Sequence, residues 1–351
     1  MLRSRMRRGD APIHNERGVA LLITLIIITL VAVVALEQNY LMRVDLHTAA
    51  NFRDGVRAYY LAKSGLTIVK ELFSREIEQL AEVKKGLLGG GAYTQPLGGG
   101  VVMVRVVDEE GKINLNALVQ EVATLPASTQ RRRPLPANPQ PANPPDNPWI
   151  RITEELFQRL GIDPTLVGAL IDWIDPDDGP TGAGGAESAY YRGLEKPYAA
   201  RNGPMETITE LRLIKGFTDE VLLKLGAKRV GGLVDPATNM YLTAVPLPQQ
   251  GTWQVNLNTA PPQLLSSLLK EDFAEVVIQQ RTKVWIKELA PLGINNDAFR
   301  EKGFQQLATT APSKHYFVDT RGTVGEMTKQ ITALFTTGGN QGGQILYWRV
   351  Q

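Results

Sequence analysis

One uninterrupted apolar stretch near the start constrains this chain more than any other feature. Val19–Leu36 carries no charged side chain, and its only polar residues are Thr24 and Thr29. At about 18 residues, the stretch is long enough to cross a bilayer as a helix. Residues 1–18 before it are rich in arginine. The positive-inside rule therefore predicts that this basic segment stays in the cytoplasm and that the chain after Glu37 lies on the opposite side of the membrane.

Three interpretations of this segment are open. The residues Val33, Val34 and Ala35 resemble the small-residue cleavage site of an ordinary signal peptide. The segment also fits an uncleaved anchor. In the third interpretation, Glu-Arg-Gly ending at Gly18 resembles the precursor site of type IV pilins and pseudopilins, in which a dedicated peptidase cuts after the glycine and leaves the apolar helix in the mature protein.

The residues after the membrane segment favour the third interpretation. No proline occurs between Pro12 and Pro96, and apolar residues continue at helical spacing. This pattern predicts one stem helix over residues 19–85, with residues 19–36 in the membrane. A plain anchor needs no amphipathic extension, whereas a filament subunit uses one to hold its head. The apolar positions are Leu41, Val44, Phe52, Val56, Tyr59, Leu66, Val69, Phe73, Ile77 and Leu80.

Strand signals are confined to two separated parts of the chain. Val101–Val107 is one β-branched run, and Tyr316–Thr320, Val324–Phe335 and Gln344–Val350 follow near the end. The segment between these parts has helical periodicity with loops. We therefore predict an α+β fold in which the long N-terminal helix packs on a small antiparallel pilin-like sheet, with a large all-α domain inserted between strands. The predicted parts are a leader (1–18), the stem (19–85), the first β part (86–115), the inserted domain (116–313) with a proline-rich loop (125–149), and the C-terminal strands (314–351).

The densest polar chemistry lies inside the predicted insertion. Thr153 is the expected N-cap of a helix that reaches Leu160, and a second helix begins near Asp163 and leads into an acidic loop. The carboxylates of this loop repel one another unless a cation neutralises them, and oxygen ligands suit calcium. Aspartates beside proline and glycine also simply form turns and cap helices, so both interpretations stay open. The acidic residues are Asp172, Asp175, Asp177, Asp178 and Glu187.

Several pieces of sequence together resemble one family. They are ERGVALLITLIIITLVAVVAL, VVDEEGKINLNALV, the acidic loop with YRGLEKPYAARNGPMETITELRLIKG, and QVNLNTAPPQLLSSLL. In this order they resemble the K-type minor pseudopilins of bacterial type II secretion systems. The resemblance implies a calcium-binding helical domain, with Asp172, Asp175, Asp177 and Glu187 as ligands and Asp178 as a further candidate.

A departure from the general pilin pattern concerns Ile23. Major pilins carry glutamate at the fifth mature residue, where a carboxylate in a membrane helix is costly and needs a reason. That glutamate is thought to neutralise the N-terminal amine of the subunit ahead. The K-type proteins lack it, so Ile23 implies a position at the filament tip, with no subunit ahead.

The resemblance also implies a place and partners. Prepilin peptidase would cut between Gly18 and Val19, and Val19 would be methylated. The mature chain would lie in inner-membrane lipid with its bulk in the periplasm, and would join minor pseudopilins of the I, J and H types to start and cap the pseudopilus for protein export. A minor pilin of a related type IV pilus system is an alternative.

Two other function classes are disfavoured. The segments ITELRLIKGFTDEVLLKLG and VNLNTAPPQLLSSL resemble helix-hairpin-helix units of a membrane-tethered DNA-uptake protein, yet the hairpin around Gly216 lacks a second glycine and the net charge is only +2. No nucleic acid is therefore expected. No HExxH, GxSxG or Walker motif occurs, cysteine is absent, and His14, His47 and His315 are scattered. We expect neither an enzyme nor a small-molecule substrate.

Overall fold

The structure is a computed structural model, and it describes residues 16–74, 81–120, 147–247, 252–300, 304–337 and 343–351. Most of the predicted leader, residues 75–80 of the predicted stem and most of the proline-rich loop lie outside these ranges. The continuity of the stem across residues 75–80 and the boundaries of the predicted parts therefore stay predictions.

Helix α1 (Glu16–Ser74) has two halves with different surroundings. Its first half is exposed, and α1 is the one helix among the described residues that is long and apolar enough to cross a membrane. Its second half buries one face against the sheet. That face begins later than the apolar spacing suggests, because Leu41, Val44 and Phe52 are exposed. The buried positions are Ala58, Leu61, Ala62, Leu66, Val69 and Phe73.

Helix α2 (Ala81–Leu88) and the hairpin of β1 (Ala92–Leu97) and β2 (Gly100–Asp108) follow. Gly98 and Gly99 form the turn with φ of 58° and 80°, a backbone region that favours glycine. Strand β1 lies in the predicted first β part, but it was not among the strand signals of the sequence. The glycines lie mainly outside the strand, and the residues between them pair along β2 from Ala92 to Leu97.

The insertion between β2 and the last strands is mostly helical around one core. Its largest fully buried side chains include Trp149, Phe157, Leu170 and Tyr191. Short strand pairs also occur in it, namely β3 with β6, β4 with β5, and β7 with β8. The elements are β3 (Ile113–Asn114), α3 (Pro148–Arg159), α4 (Leu166–Ile174), α5 (Ser188–Arg192), α6 (Asp219–Lys224), β4 (Lys228–Val230), β5 (Leu233–Asp235), β6 (Leu242–Thr243), β7 (Val255–Asn256), α7 (Pro262–Leu268), α8 (Glu271–Lys283) and β8 (Ala308–Thr309).

The N-terminus of α3 differs from the prediction. Its N-cap is Asn147, whose Oδ1 accepts from the Trp149 backbone N–H at 3.0 Å. Thr153, the predicted cap, lies inside the helix, and its hydroxyl donates to the Trp149 carbonyl at 2.7 Å. The helix begins earlier because proline is well suited to the first helical position, which Pro148 occupies. The predicted loop therefore ends before Asn147.

Three strands complete the sheet: β9 (His315–Val324), β10 (Met327–Thr336) and β11 (Gln344–Val350). The order is β1-β2-β9-β10-β11, with antiparallel pairing throughout. Helix α1 lies closely on one face, because a Cβ added at Gly322 would be 2.0 Å from the Ala58 carbonyl oxygen. The predicted α+β fold, with a long helix on an antiparallel sheet, is confirmed.

The chain enters and leaves the insertion at neighbouring strand ends, where Asp108 is opposite Tyr316. The buried Asp108 carboxylate links the chain segments that enter and leave the insertion. Its Oδ2 accepts from the hydroxyls of Thr259 and Ser313, each at 2.6 Å, and from Asn256 Nδ2 at 3.1 Å. Burial raises the pKa of Asp108 to about 6, against the opposing effect of these donors.

Candidate functional site: an acidic loop

Helix α4 places one carboxylate in the core. Asp172 is the one charged residue of this otherwise apolar helix, and its side chain is fully buried. Its Oδ1 accepts from the Thr181 backbone N–H at 2.8 Å, whereas its Oδ2 is buried with no hydrogen-bond partner. Such an unsatisfied oxygen is costly, so a ligand at Asp172 Oδ2 would relieve the cost of its burial.

The glycine-rich part of the loop folds back tightly on α4. A Cβ added at Gly185 would lie 2.5 Å from Asp172 Oδ2, and one added at Gly168 would lie 2.3 Å from the Thr181 carbonyl oxygen. Glycine at these positions lets the loop return over the end of the helix. The return brings Glu187, which directly precedes α5, beside the carboxylates that follow α4.

Three carboxylates converge at this point. Asp175, Asp177 and Glu187 each offer one oxygen, and these oxygens all lie within 4.8 Å of one another. Asp175 Oδ1 and both carboxylate oxygens of Glu187 are buried without a hydrogen-bond partner. The Nζ of Lys215 donates to the Gly185 carbonyl at 3.1 Å and lies 5.1 Å from the centroid of the Tyr190 ring.

Burial and like charges favour the protonated form of two carboxyl groups in this site. Burial, followed by the charges of Asp177 and Asp172, raises the pKa of Asp175 to about 7. Burial, followed by the charges of the neighbouring aspartates, raises the pKa of Glu187 to about 7. Like charges in a desolvated site favour either bound protons or a bound cation.

Asp172 and Asp178 are not among the three converging carboxylates. Asp172 is buried, whereas Asp178 is exposed, as is Asp177. Asp177, in contrast, turns its Oδ1 toward the Gly179 backbone N–H at 2.7 Å and keeps an oxygen within the cluster. Neighbouring residues of an extended loop point in different directions, so adjacency in sequence did not separate these two side chains.

Asn202 is a polar residue of this site that the sequence analysis did not identify. Its backbone has φ of 47°, and its N–H donates to the Trp173 carbonyl at 3.1 Å. Its Nδ2 donates to the Asp177 carbonyl at 3.2 Å, and its Oδ1 is buried with no partner. The one available signal was the Asn202-Gly203-Pro204 turn sequence, which does not reveal a contact with a distant loop.

The donor set fits a hard divalent cation. Asp172, Asp175, Glu187 and Asn202 provide buried oxygens that lack a hydrogen-bond partner, and Asp177 adds a further carboxylate. Calcium takes several oxygen ligands of this kind in flexible geometry. Calcium binding stays a prediction that this geometry supports.

The predicted processing residues lie in the exposed half of α1. Gly18 and Val19 are near its start, and Ile23 follows one turn later. The side chains of Val19 and Ile23 are 62% and 51% exposed. Their roles in cleavage, methylation and tip position stay predictions.

The hairpin that resembles a DNA-binding unit is not available to phosphate. The Lys215 backbone N–H donates to the Tyr191 hydroxyl at 3.2 Å, and the Phe217 N–H donates to the Ile214 carbonyl at 3.2 Å. A Cβ added at Gly216 would meet the side chain of Leu166 at 2.3 Å. The hairpin therefore packs on α4, and the amides of Lys215 and Phe217 are already engaged within the protein.

The fold and this site define a class of protein. The chain has an apolar, exposed N-terminal half-helix that continues into a half packed on an antiparallel sheet. This is a pilin-like architecture, and it is distinguished by a helical domain with an acidic loop inserted between β2 and β9.

Comparison with known proteins shows similarity to one particular family. Residues 111–227 match the family model "Type II secretion system (T2SS), protein K". The chain is 29% identical to type II secretion system protein K of Pseudomonas aeruginosa over 60% of this chain and 59% of that protein. It is 23% identical to the protein K of Aeromonas hydrophila, over 79% of this chain and 80% of that protein. The chain is therefore similar to type II secretion system protein K, and the match to the family model covers residues 111–227.

A solved structure supports the same fold. The structure resembles a chain of the crystal structure of the GspK–GspI–GspJ complex from the enterotoxigenic Escherichia coli type 2 secretion system. The TM-score is 0.58 at 21% identity, and the match covers 88% of this chain and 99% of that chain. The resemblance of the fold therefore extends beyond the segment matched by the family model.

Proposed function

We propose that this chain is the minor pseudopilin that starts and caps the pseudopilus of a type II secretion system. The two-part helix α1 carries the proposal. Its exposed half can lie in the membrane and, after assembly, can pack among the stem helices of neighbouring subunits. Its second half already packs on the sheet of its own chain. Similarity to the protein K family supports the same role.

The proposal includes a position at the tip. Ile23 takes the place at which major pilins carry glutamate, so the subunit makes no charge pair with an amine ahead of it. The insertion between Asp108 and His315 adds a bulky helical head to the small sheet. A head of this size is compatible with a fibre end, where it has no neighbour above it.

The proposed life cycle begins in the inner membrane. Prepilin peptidase cuts between Gly18 and Val19, the new N-terminus is methylated, and the sheet and insertion lie in the periplasm. The subunit then joins the minor pseudopilins of the I, J and H types. The similar solved complex contains GspI and GspJ beside GspK, which supports the choice of the first two. The role is structural and not enzymatic.

We further propose that calcium fastens the acidic loop to the ends of α4 and α5. Asp172, Asp175, Asp177 and Glu187 would hold the cation, with Asn202 as an additional oxygen donor. The cation supplies positive charge to a site with converging carboxylates. Its role is to order the head and not to take part in a reaction.

Intact mass spectrometry tests the processing step. The full chain is expressed in two otherwise identical strains, with and without prepilin peptidase, and extracted from membranes. We expect a chain that begins at methylated Val19 only when the peptidase is present. A chain that begins at Leu36 in both strains contradicts the proposal, because ordinary signal cleavage would have removed the membrane helix.

Secretion and DNA retention separate the proposal from its alternative. In a strain lacking the gene, the wild-type chain should restore export of the type II cargo. Purified protein should show no salt-sensitive retention of duplex DNA. Restored DNA uptake with unchanged export would favour the DNA-uptake function instead.

A further inference from the structure

A cavity lies between the sheet and the insertion, away from the acidic loop. It occupies the sheet face opposite α1, since Arg105, Val107, Phe317 and Asp319 alternate with the residues that α1 covers. Its volume is about 590 Å³, which is within the usual range for ligand pockets.

The charged and aromatic walls of this junction cavity come from the sheet, α2 and the region of α8. The sheet supplies Arg105 and Asp319, α2 supplies Lys85, and α8 supplies Arg281, while Trp285 follows α8. Apolar side chains complete the lining and give it a mixed character. They include Leu88, Val107, Met240 and Phe317.

The acidic groups of the cavity are already engaged. Asp108 accepts hydrogen bonds from two hydroxyls and one amide. Asp319 Oδ1 accepts from Gln330 Nε2 at 2.8 Å, and its Oδ2 lies 3.5 Å from Arg321 Nη2. Asp319 also lies opposite Arg105 in the pairing of β2 with β9 and attracts its charge. The lining nevertheless holds four basic side chains against two carboxylates.

The basic groups are less fully engaged. Lys112 pairs with Glu109 at 2.6 Å, which leaves three others. Lys85 Nζ donates to one backbone carbonyl, that of Lys283 at 3.1 Å. Arg105 Nε is buried with no hydrogen-bond partner. Arg281 Nη1 donates to the carbonyls of Leu257 and Ala260, which fixes the guanidinium at the wall without neutralising its charge.

We propose that this cavity binds a short acidic peptide segment in which a carboxylate lies beside an apolar side chain. Lys85, Arg105 and Arg281 supply charge and N–H donors for the carboxylate. Leu88, Met240 and Trp285 provide apolar contact for the neighbouring side chain. The carboxylate comes either from an Asp or Glu side chain or from a chain terminus, and the same basic groups recognise both. The inference goes beyond the pseudopilin function, and no secretion machinery is needed to test it.

The test uses the purified full chain in detergent with calcium and three hexapeptides. The first is acetylated and amidated GLELEG, and the second is its neutral match GLQLQG with the same ends. The third is acetylated GLQLQG with a free terminal carboxylate. Isothermal titration calorimetry measures the affinity of each peptide. Tryptophan fluorescence is followed in the same titrations, and a change that is lost in the Trp285→Phe variant originates in the cavity.

We expect GLELEG to bind and neutral GLQLQG to bind at least about tenfold more weakly, since charge-assisted hydrogen bonds account for most of the discrimination. Affinity should fall as sodium chloride rises from about 50 to about 500 mM, because salt screens the partly exposed charges. Binding of the third peptide would also support the proposal and assign the carboxylate to a chain terminus.

Matched variants locate the site. Arg105→Gln and Lys85→Gln should each weaken GLELEG binding by about tenfold, whereas the exposed control Lys196→Gln should not. The proposal is overturned, whatever the variants do, if neither GLELEG nor the peptide with a free terminal carboxylate binds the wild-type chain more tightly than neutral GLQLQG. Unchanged affinity in a folded Arg105→Gln variant also overturns it.

Discussion

Removal of the cation from the acidic loop should lower the stability of the head, and the structure sets the scale. Asp172, Asp175 and Glu187 together hold four buried oxygens without a partner. At about 1–3 kcal/mol for each unsatisfied buried group, coordination would relieve a penalty of about 4–12 kcal/mol. This is an upper bound, because protonation relieves part of the same penalty in the metal-free protein.

The measurable effect depends on calcium concentration. A free concentration about 100 times Kd stabilises the folded state by about 2.7 kcal/mol. For a folded unit of this size, each kcal/mol raises Tm by about 2–4 °C, so the expected rise is about 5–11 °C. Thermal unfolding of the full chain in detergent, followed by circular dichroism with calcium or with EDTA, measures it.

The pH dependence provides an internal check. The pKa values of Asp175 and Glu187 are about 7 in the folded metal-free protein, above their ordinary values of 3.8 and 4.5. Between the ordinary and raised values, the folded state holds more protons than the unfolded state, so the stability of the metal-free protein falls as pH rises through this window. Calcium needs deprotonated ligands, so the calcium-dependent rise in Tm should be larger at pH 8 than at pH 5.

Two substitutions separate coordination from general charge effects. Glu187→Gln removes one buried charge, so it should stabilise the metal-free protein at pH 8 and yet reduce the calcium response. Asp178→Asn is the matched control, and it should retain most of the response because Asp178 is not one of the three converging carboxylates. An identical Tm with calcium and with EDTA at pH 8 would refute the reasoning, as would an equal loss of response in both variants.

Three further substitutions test how the head is held together, each by chemical denaturation of the full chain in detergent. Gly322→Ala should destabilise the fold by about 2 kcal/mol or more, because its Cβ would lie 2.0 Å from the Ala58 carbonyl oxygen; an unchanged midpoint would show that α1 does not pack this closely. Asn147→Ala should cost about 1–3 kcal/mol, because the variant loses the cap of α3 and leaves the carbonyls of Ala117 and Leu118 without a donor; a loss no greater than that of an exposed alanine substitution would contradict this role. Asp108→Ala should cost about 2–4 kcal/mol of unfolding free energy, because three side-chain donors lose their acceptor. Equal stability of the variant would show that other contacts hold the segments that enter and leave the insertion.

Local patterns predicted the sheet better than they predicted the boundaries within the insertion. Gln344–Val350 reads as a strand from its β-branched and aromatic residues, and it forms β11 as expected. Strand β1 was missed because the glycines around Ala92–Leu97 indicate a loop, and only pairing with β2 stabilises a strand there. The start of α3 was misplaced because the prolines before Trp149 suggested a linker.

The acidic loop shows a similar limit. Ligand chemistry indicated a cation, and the structure brings Asp175, Asp177 and Glu187 together. Sequence could not distinguish Asp178 from Asp177, since the direction of each side chain depends on the path of the loop. It also could not indicate Asn202, which reaches the site from a separate turn through tertiary packing.

The position of the subunit in the pseudopilus tests the central claim most directly. The chain has no cysteine, so one cysteine introduced at the exposed Lys196 can carry a single gold label. Electron microscopy of pseudopili assembled from labelled subunits should then show gold at one end of each fibre only. Gold repeated along the shaft would contradict the claim that this protein is the tip subunit.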